Sequence, residues 1–176
     1  MKFKTLFILM ILFLGVSGTL LAQTTANHTL TLSVASIARI GVTAGVTLTV
    51  DDPGTAGDDP TSDSDNTGRL RYTSTVPSGQ SRRITAEWGA TDAAPAGTQL
   101  TLTATPGGGK LGSSAGEKVI SSSAEDIITG VGSCATGSGA GNGAVLDYTL
   151  EVTDVGSLIA GDSEDVIVTF TITDAA

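Results

Sequence analysis

Few residues in this 176-residue chain have the type and spacing to do chemistry. His28 is its one histidine and Cys134 its one cysteine. A Ser-His-Asp or Cys-His mechanism would have to recruit His28. No G-x-S-x-G pentapeptide supplies an exposed nucleophile, and no pattern brings Cys134 or a particular serine to the histidine. The same scarcity removes a histidine-based zinc site. Paired carboxylates can hydrolyse a glycoside, and the chain carries eighteen acidic residues. Sugar sites usually add exposed aromatic surface, however. Tyr72, Trp88, Tyr148 and Phe170 each fall on the apolar phase of their segments, where core residues belong. No catalytic, cofactor-binding or metal-binding residue is assigned, and the expectation is a protein that is not an enzyme.

The acidic stretch Asp51–Gly68 is the best candidate site. Asp63-Ser64-Asp65-Asn66-Thr67-Gly68 places oxygen-bearing side chains at alternate positions with a glycine sixth, like the first half of a calcium loop. The second half fails, because Ser74 stands at the twelfth position and Arg69 and Arg71 intrude. Asp51, Asp52, Asp58 and Asp59 are further oxygen donors in the same stretch. The reading preferred over calcium is a solvated acidic turn, in which Asp and Asn bond their own backbone. Gly107-Gly108-Gly109-Lys110 falls short of a phosphate loop, since Ala104 replaces its first glycine and Leu111 its Ser/Thr. Gly137, Gly139, Gly141 and Gly143 alternate without dinucleotide-binding spacing. Both glycine runs read as flexible loops. Asn27-His28-Thr29 is a formal glycosylation sequon, without consequence in a bacterial host.

The elements that must position these residues read as strands. Leu146, Tyr148, Leu150 and Val152 alternate with Asp147, Thr149 and Glu151 in Val145–Asp154. Val166, Val168, Phe170 and Ile172 do the same in Asp165–Asp174. A period of two puts one face in a core and the other in water. The linker Val155–Glu164, with Gly156 and Gly161, either turns the chain back or crosses it to a second sheet. Upstream, strands are predicted at His28–Val34, with a phase slip before Ile37, Ile40 and Val42, and at Val46–Val50. Further strands are predicted at Arg69–Thr75, Ser81–Trp88, Thr98–Thr105 and Glu117–Ser121. Asp51–Gly68 and Gly130–Gly143 read as loops, and Ser122–Gly130 as a helical turn or a strand-to-strand crossing. All five prolines fall between strands, and no segment sustains a 3.6-residue period. The pattern predicts an all-β antiparallel sandwich, immunoglobulin-like or jelly-roll-like, of about eight strands. Tyr148 and Phe170 are expected at the centre of its core.

The amino terminus predicts a compartment. Lys2 and Lys4, an apolar run from Leu6 to Val16 and Ala22 before Gln23 make a secretory signal peptide over residues 1–22. The run is short for a membrane span, which needs about 20 apolar residues. The expectation is a single domain over 23–176, secreted or at the bacterial cell surface, with no membrane insertion after cleavage. Lys2 and Lys4 leave with the signal, so seven basic residues face eighteen acidic ones, a net charge of −11. Such a surface lacks the basic footprint that nucleic acid or anionic membranes require. With one cysteine, no disulfide can form within the chain, and Cys134 is expected to be buried or inert.

His28–Val34 carries an apolar stripe (Leu30, Leu32, Val34) and no lysine or proline to block pairing with another sheet edge. Together with the signal peptide and the closing strands Leu146-Asp147-Tyr148-Thr149-Leu150 and Val168-Thr169-Phe170-Thr171-Ile172, this segment resembles the secreted β-sandwich subunits of bacterial surface fibres, the spore-coat-U and pilin-like proteins. The chain lacks the disulfide that many of those subunits carry. The resemblance implies a structural, non-enzymatic role in which subunits are joined by donated strands. The expected function is thus a subunit of an extracellular fibre or surface layer. Its partners would be copies of itself or other envelope proteins. The alternative is a monomeric extracellular binding or adhesion module, with or without stabilisation by calcium.

Overall fold

The computed structural model describes residues 25–43 and 45–175, so the expected signal peptide lies outside the described residues. Two units are distinguished, residues 1–34 and 35–176. The described part of the first, residues 25–34, holds no regular structure.

The second unit is an antiparallel β-sandwich. Its strands are β1 (Ile37–Val42), β2 (Asp63–Thr75), β3 (Arg82–Trp88), β4 (Thr98–Thr105), β5 (Ser113–Ser114), β6 (Lys118–Val119), β7 (Glu125–Val131), β8 (Cys134–Ala135), β9 (Ala144–Val152) and β10 (Val168–Asp174). One sheet runs β1-β2-β9-β4-β6, with β8 on β2, and the other β10-β3-β7-β5. The inner faces come from strict alternation. Leu146, Tyr148 and Leu150 of β9 are buried, as are Leu70 and Tyr72 of β2, Leu100, Leu102 and Ala104 of β4, and Ile84 and Ala86 of β3. β7 breaks the period with two successive buried residues, Ile127 and Ile128. Its register against β3 shifts between the Ile84–Ile128 and Thr85–Asp126 pairs. The bulge lets both isoleucines turn inward.

The described residues form ten strands where about eight were expected, and several boundaries move. His28–Val34 is not a strand: alternation makes a segment fit to be extended, but a ladder needs a partner edge, and no pairing is recorded for it among the described residues. The first strand is Ile37–Val42 instead. Val46–Val50 keeps its period of two but stays out of the ladder. The acidic stretch is only partly a loop, since β2 begins at Asp63, where Asp63, Ser64 and Asp65 pair with Leu150, Thr149 and Tyr148. Polar composition hid this half of the strand. Glu117–Ser121 shrinks to Lys118–Val119, and Ser122–Gly130 resolves as the crossing strand β7. Within the Gly130–Gly143 loop, β8 adds two residues to β2, and Gly143 is required as glycine. Its φ is 119°, and a Cβ there would lie 2.6 Å from the Leu70 carbonyl oxygen. The closing strands are not neighbours. The linker crosses between sheets, with β9 at the centre of one and β10 at the edge of the other, so Phe170 is only half-buried.

At one end the two sheets are tied by the buried Arg82. Its guanidinium donates to the Ile37 carbonyl, to Ser74 Oγ at 3.4 Å, to Ser36 Oγ at 2.8 Å and to the Asp174 carboxylate at 2.9 Å. The first three acceptors belong to the β1–β2 edge and the last to β10. Because Asp174 is 82% exposed, the ion pair itself counts for little. Replacing Arg82 by Ala is therefore expected to destabilise the fold by about 3 kcal/mol, from unpaired groups left under the edge. Asp174→Asn should cost much less. Urea melts of the two variants measure the difference, and equal losses would assign the tie to the ion pair instead.

Candidate functional site

Beyond Val42 the two sheets part. A groove of about 1140 Å³ opens between them, with Leu146, Tyr148 and Leu150 on its floor. Val46, Leu48 and Val50 line one side, Val166, Val168 and Phe170 the other, and Trp88 and Leu100 contribute as well. In this groove core-type side chains meet solvent. Trp88, Val168 and Phe170 pack against the core yet are only partly buried.

The rim of the groove on the β10 side is an open sheet edge. β10 pairs with β3 along its whole length, from Val168–Trp88 to Asp174–Arg82. Beyond it, the Ala175 N–H donates to Ser81 at 3.0 Å in the same register. In an antiparallel ladder, successive residues point their backbone groups to opposite sides. Odd-numbered residues of β10 thus bond β3, while Val168, Phe170, Ile172 and Asp174 aim N–H and C=O at the open side. No described residue bonds those groups. The opposite flank of the sandwich ends in the two-residue strands β5 and β6, too short to template another strand.

The segment singled out for its apolar stripe is solvent-facing. Leu30, Leu32 and Val34 are 70%, 83% and 87% exposed. Chains rarely leave three alternating aliphatic side chains in water without a use for them. Its attachment point, Ala35, is held where the Thr75 hydroxyl donates to its carbonyl at 2.7 Å, at the Arg82 end of β1.

The calcium-like motif is otherwise engaged. The Thr67 hydroxyl at 2.7 Å, with its N–H at 2.9 Å, holds the Asp65 carboxyl below the usual carboxylate range. Asp63 accepts from the N–H groups of Thr49 and Ser64, and Asp52 from that of Gly54. No group of three or more metal-ligating side chains is gathered among the described residues. Gly107–Lys110 leads into a short 3₁₀ turn, Gly109–Leu111, whose role is packing: the Tyr72 hydroxyl donates to the Leu111 carbonyl at 2.6 Å. Cys134 is half-buried on β8, and burial pushes its thiol pKa up, away from reactivity. His28 lies among residues 25–34, which hold no regular structure. None of these residues is brought to another to form a reactive constellation.

What sequence reasoning missed was the groove. Its signal was present in the two alternating stretches, Val46–Val50 and Val166–Ile172, whose inward residues outnumber what the core can cover.

Comparison with known proteins adds no relative: no protein family, no curated protein and no solved structure matches this chain. No described helix is long and apolar enough to cross a membrane.

Tyr148 on the groove floor and Tyr72 in the core both have their phenol pKa pushed up to about 12 by burial. Between pH 10 and 12 the unfolded chain loses these protons while the folded one keeps them, so stability falls as pH rises through that window. Urea melts across pH 8–12 should be flat to about pH 10 and decline above it. The ultraviolet signal of phenolate should appear only with unfolding.

Proposed function

We propose that the protein is a secreted, non-enzymatic structural subunit of a bacterial extracellular fibre or surface layer, in which residues 25–34 of one copy occupy the inter-sheet groove of the next. The observation that carries this reading is the complementarity between what the sandwich lacks and what the segment offers. Val168, Phe170 and Ile172 present an uncapped ladder edge over four residue steps, about 13 Å of strand. Leu30, Leu32 and Val34 span the same four steps with the same alternation.

Energetics and charge support the match. Burying each of the three side chains contributes about 2 kcal/mol before the costs of ordering and association. The ladder adds backbone bonds to groups otherwise left to water. Asp51, Asp52, Asp162, Glu164 and Asp165 line the groove, and the segment carries no carboxylate to repel them.

The same geometry favours a chain over a closed dimer. The segment joins the sandwich at its Arg82 end, whereas the groove opens at the other end. A contact between two different surfaces of one molecule does not close on itself and propagates head to tail. An occupant antiparallel to β10 leaves its own body beyond Val168, clear of the Arg82 tie.

Mixing complementary variants tests the reading. The unaltered chain is expected to run as a ladder of oligomers on size exclusion and as fibres by electron microscopy. Leu30→Asp with Leu32→Asp removes the donor, and Val168→Arg blocks the acceptor, so each alone should be monomeric. Together they should form a 1:1 dimer, because one functional segment and one functional groove remain. A sharp monomer of the unaltered chain at every concentration would end the fibre reading in favour of a monomeric binding module.

A further inference from the structure

Charge is divided between the two ends of the sandwich. Asp51, Asp52, Asp162, Glu164 and Asp165 line the groove, and no lysine or arginine lines it. Asp51 is fixed at the groove end by its bridge to Thr61, ahead of β2, while Glu164 and Asp165 lead into β10. All five carboxylates are exposed, and none joins an ion pair among the described residues. Cations gather instead at the Arg82 end. Arg82 and Arg83 begin β3, and Arg39 pairs with Thr73 close to the end of β2. The Gly132 N–H donates to the Lys110 carbonyl at 2.9 Å, next to the Val131–Arg82 pair, so Lys110 belongs to the same end. Arg82 is taken up by Asp174, and Arg83 by Asp126 at 3.5 Å. Arg39 and Lys110 are exposed and join no ion pair among the described residues.

We propose that the acidic mouth of the groove receives the basic end of a second copy, with Arg39 and Lys110 supplying the cations, so that charge orients the head-to-tail contact. This rests on the reading of the groove as the acceptor of residues 25–34. Chain connectivity brings the two surfaces together. Ala35 follows the segment directly and is held at the Arg82 end, so a seated segment draws that end of its own body to the mouth. Arg39 lies four residues beyond Ala35, at most about 13 Å of extended chain. The five carboxylates repel one another around an apolar cleft, which concentrates their field, and cations from a second body relieve that repulsion. A mouth-to-mouth encounter sets carboxylates against carboxylates and is rejected. Each body is acidic as a whole, so two copies repel at very low salt. At about 0.1 M salt the Debye length is roughly 10 Å, and only charges near the contact count. There the signs are opposite. Complementarity of this kind governs the rate and direction of encounter more than the final affinity.

Stopped-flow mixing of two half-blocked chains measures this encounter. The chain carrying L30D and L32D can only accept, and the chain carrying V168R can only donate. Emission of Trp88, the single tryptophan and a groove residue, reports insertion in the acceptor. Raising salt from about 0.1 M to about 0.5 M is expected to slow association at least threefold, to roughly a third of its rate or less. At about 0.1 M salt, R39E with K110E in the donor should slow it about tenfold, and E164K with D165K in the acceptor should do the same. Mixing the reversed donor with the reversed acceptor should bring the rate back to within about twofold of the first pair. Damage to either fold cannot produce such a rescue. A rate unmoved by salt and by both reversals overturns the charge match while leaving the fibre reading intact. So does slowing without rescue, which would mean that the reversed residues do not meet across the contact. Absence of any complex between the two half-blocked chains before charge reversal removes both.

Discussion

Arg82 sets the shape on which everything else depends. A guanidinium cannot be buried without acceptors, and this one finds them in both sheets: Ile37, Ser36 and Ser74 on one side and Asp174 on the other. It therefore pins the β1 and β10 edges together at one end of the sandwich. No equivalent tie is present among the described residues at the far end, past Val42 and Val168, and there the sheets separate. The groove is the consequence of a sandwich clamped at one end of one flank.

The two flanks treat their edges in opposite ways. β5 and β6 reduce one flank to two-residue strands, leaving little unpaired backbone to attract a neighbour. On the other flank β10 keeps seven residues of edge, with the N–H and C=O groups of Val168, Phe170 and Ile172 directed outward above an apolar groove. Unpaired backbone beside unburied aliphatics is a costly combination in an isolated domain. An added strand would relieve both terms at once. The acidic stretch, by contrast, spends its carboxylates on its own backbone: Asp63 and Asp65 shape the bulged start of β2 and hold Thr49 and Thr67.

Much of the fold was legible because burial on one face writes a period of two directly into the residues. Leu146-Asp147-Tyr148-Thr149-Leu150 could be assigned to a strand with an inner and an outer face without knowing its neighbours. Where side chains did not alternate, the reading failed for identifiable reasons. Asp63–Gly68 is polar on both faces, and its strand character comes from pairing with β9. Ile127 and Ile128 are adjacent because a bulge turns both inward. Leu30–Val34 has the period without a ladder, and Tyr148 and Phe170, alike in sequence context, differ because one strand is central and the other an edge.

The residues alone determined the class of fold: an all-β chain with alternating strands, a small-aliphatic core and one apolar stripe near its start. Those properties are local, set by the alternation and chemistry of successive side chains. Strand order, the crossing of β9 and β10 into different sheets, the Arg82 tie and the groove were decided only by the tertiary structure. They rest on contacts between residues far apart in the chain, such as Ile37 with Arg82 and Asp51 with Thr61, and no local pattern encodes which edge is left without a partner.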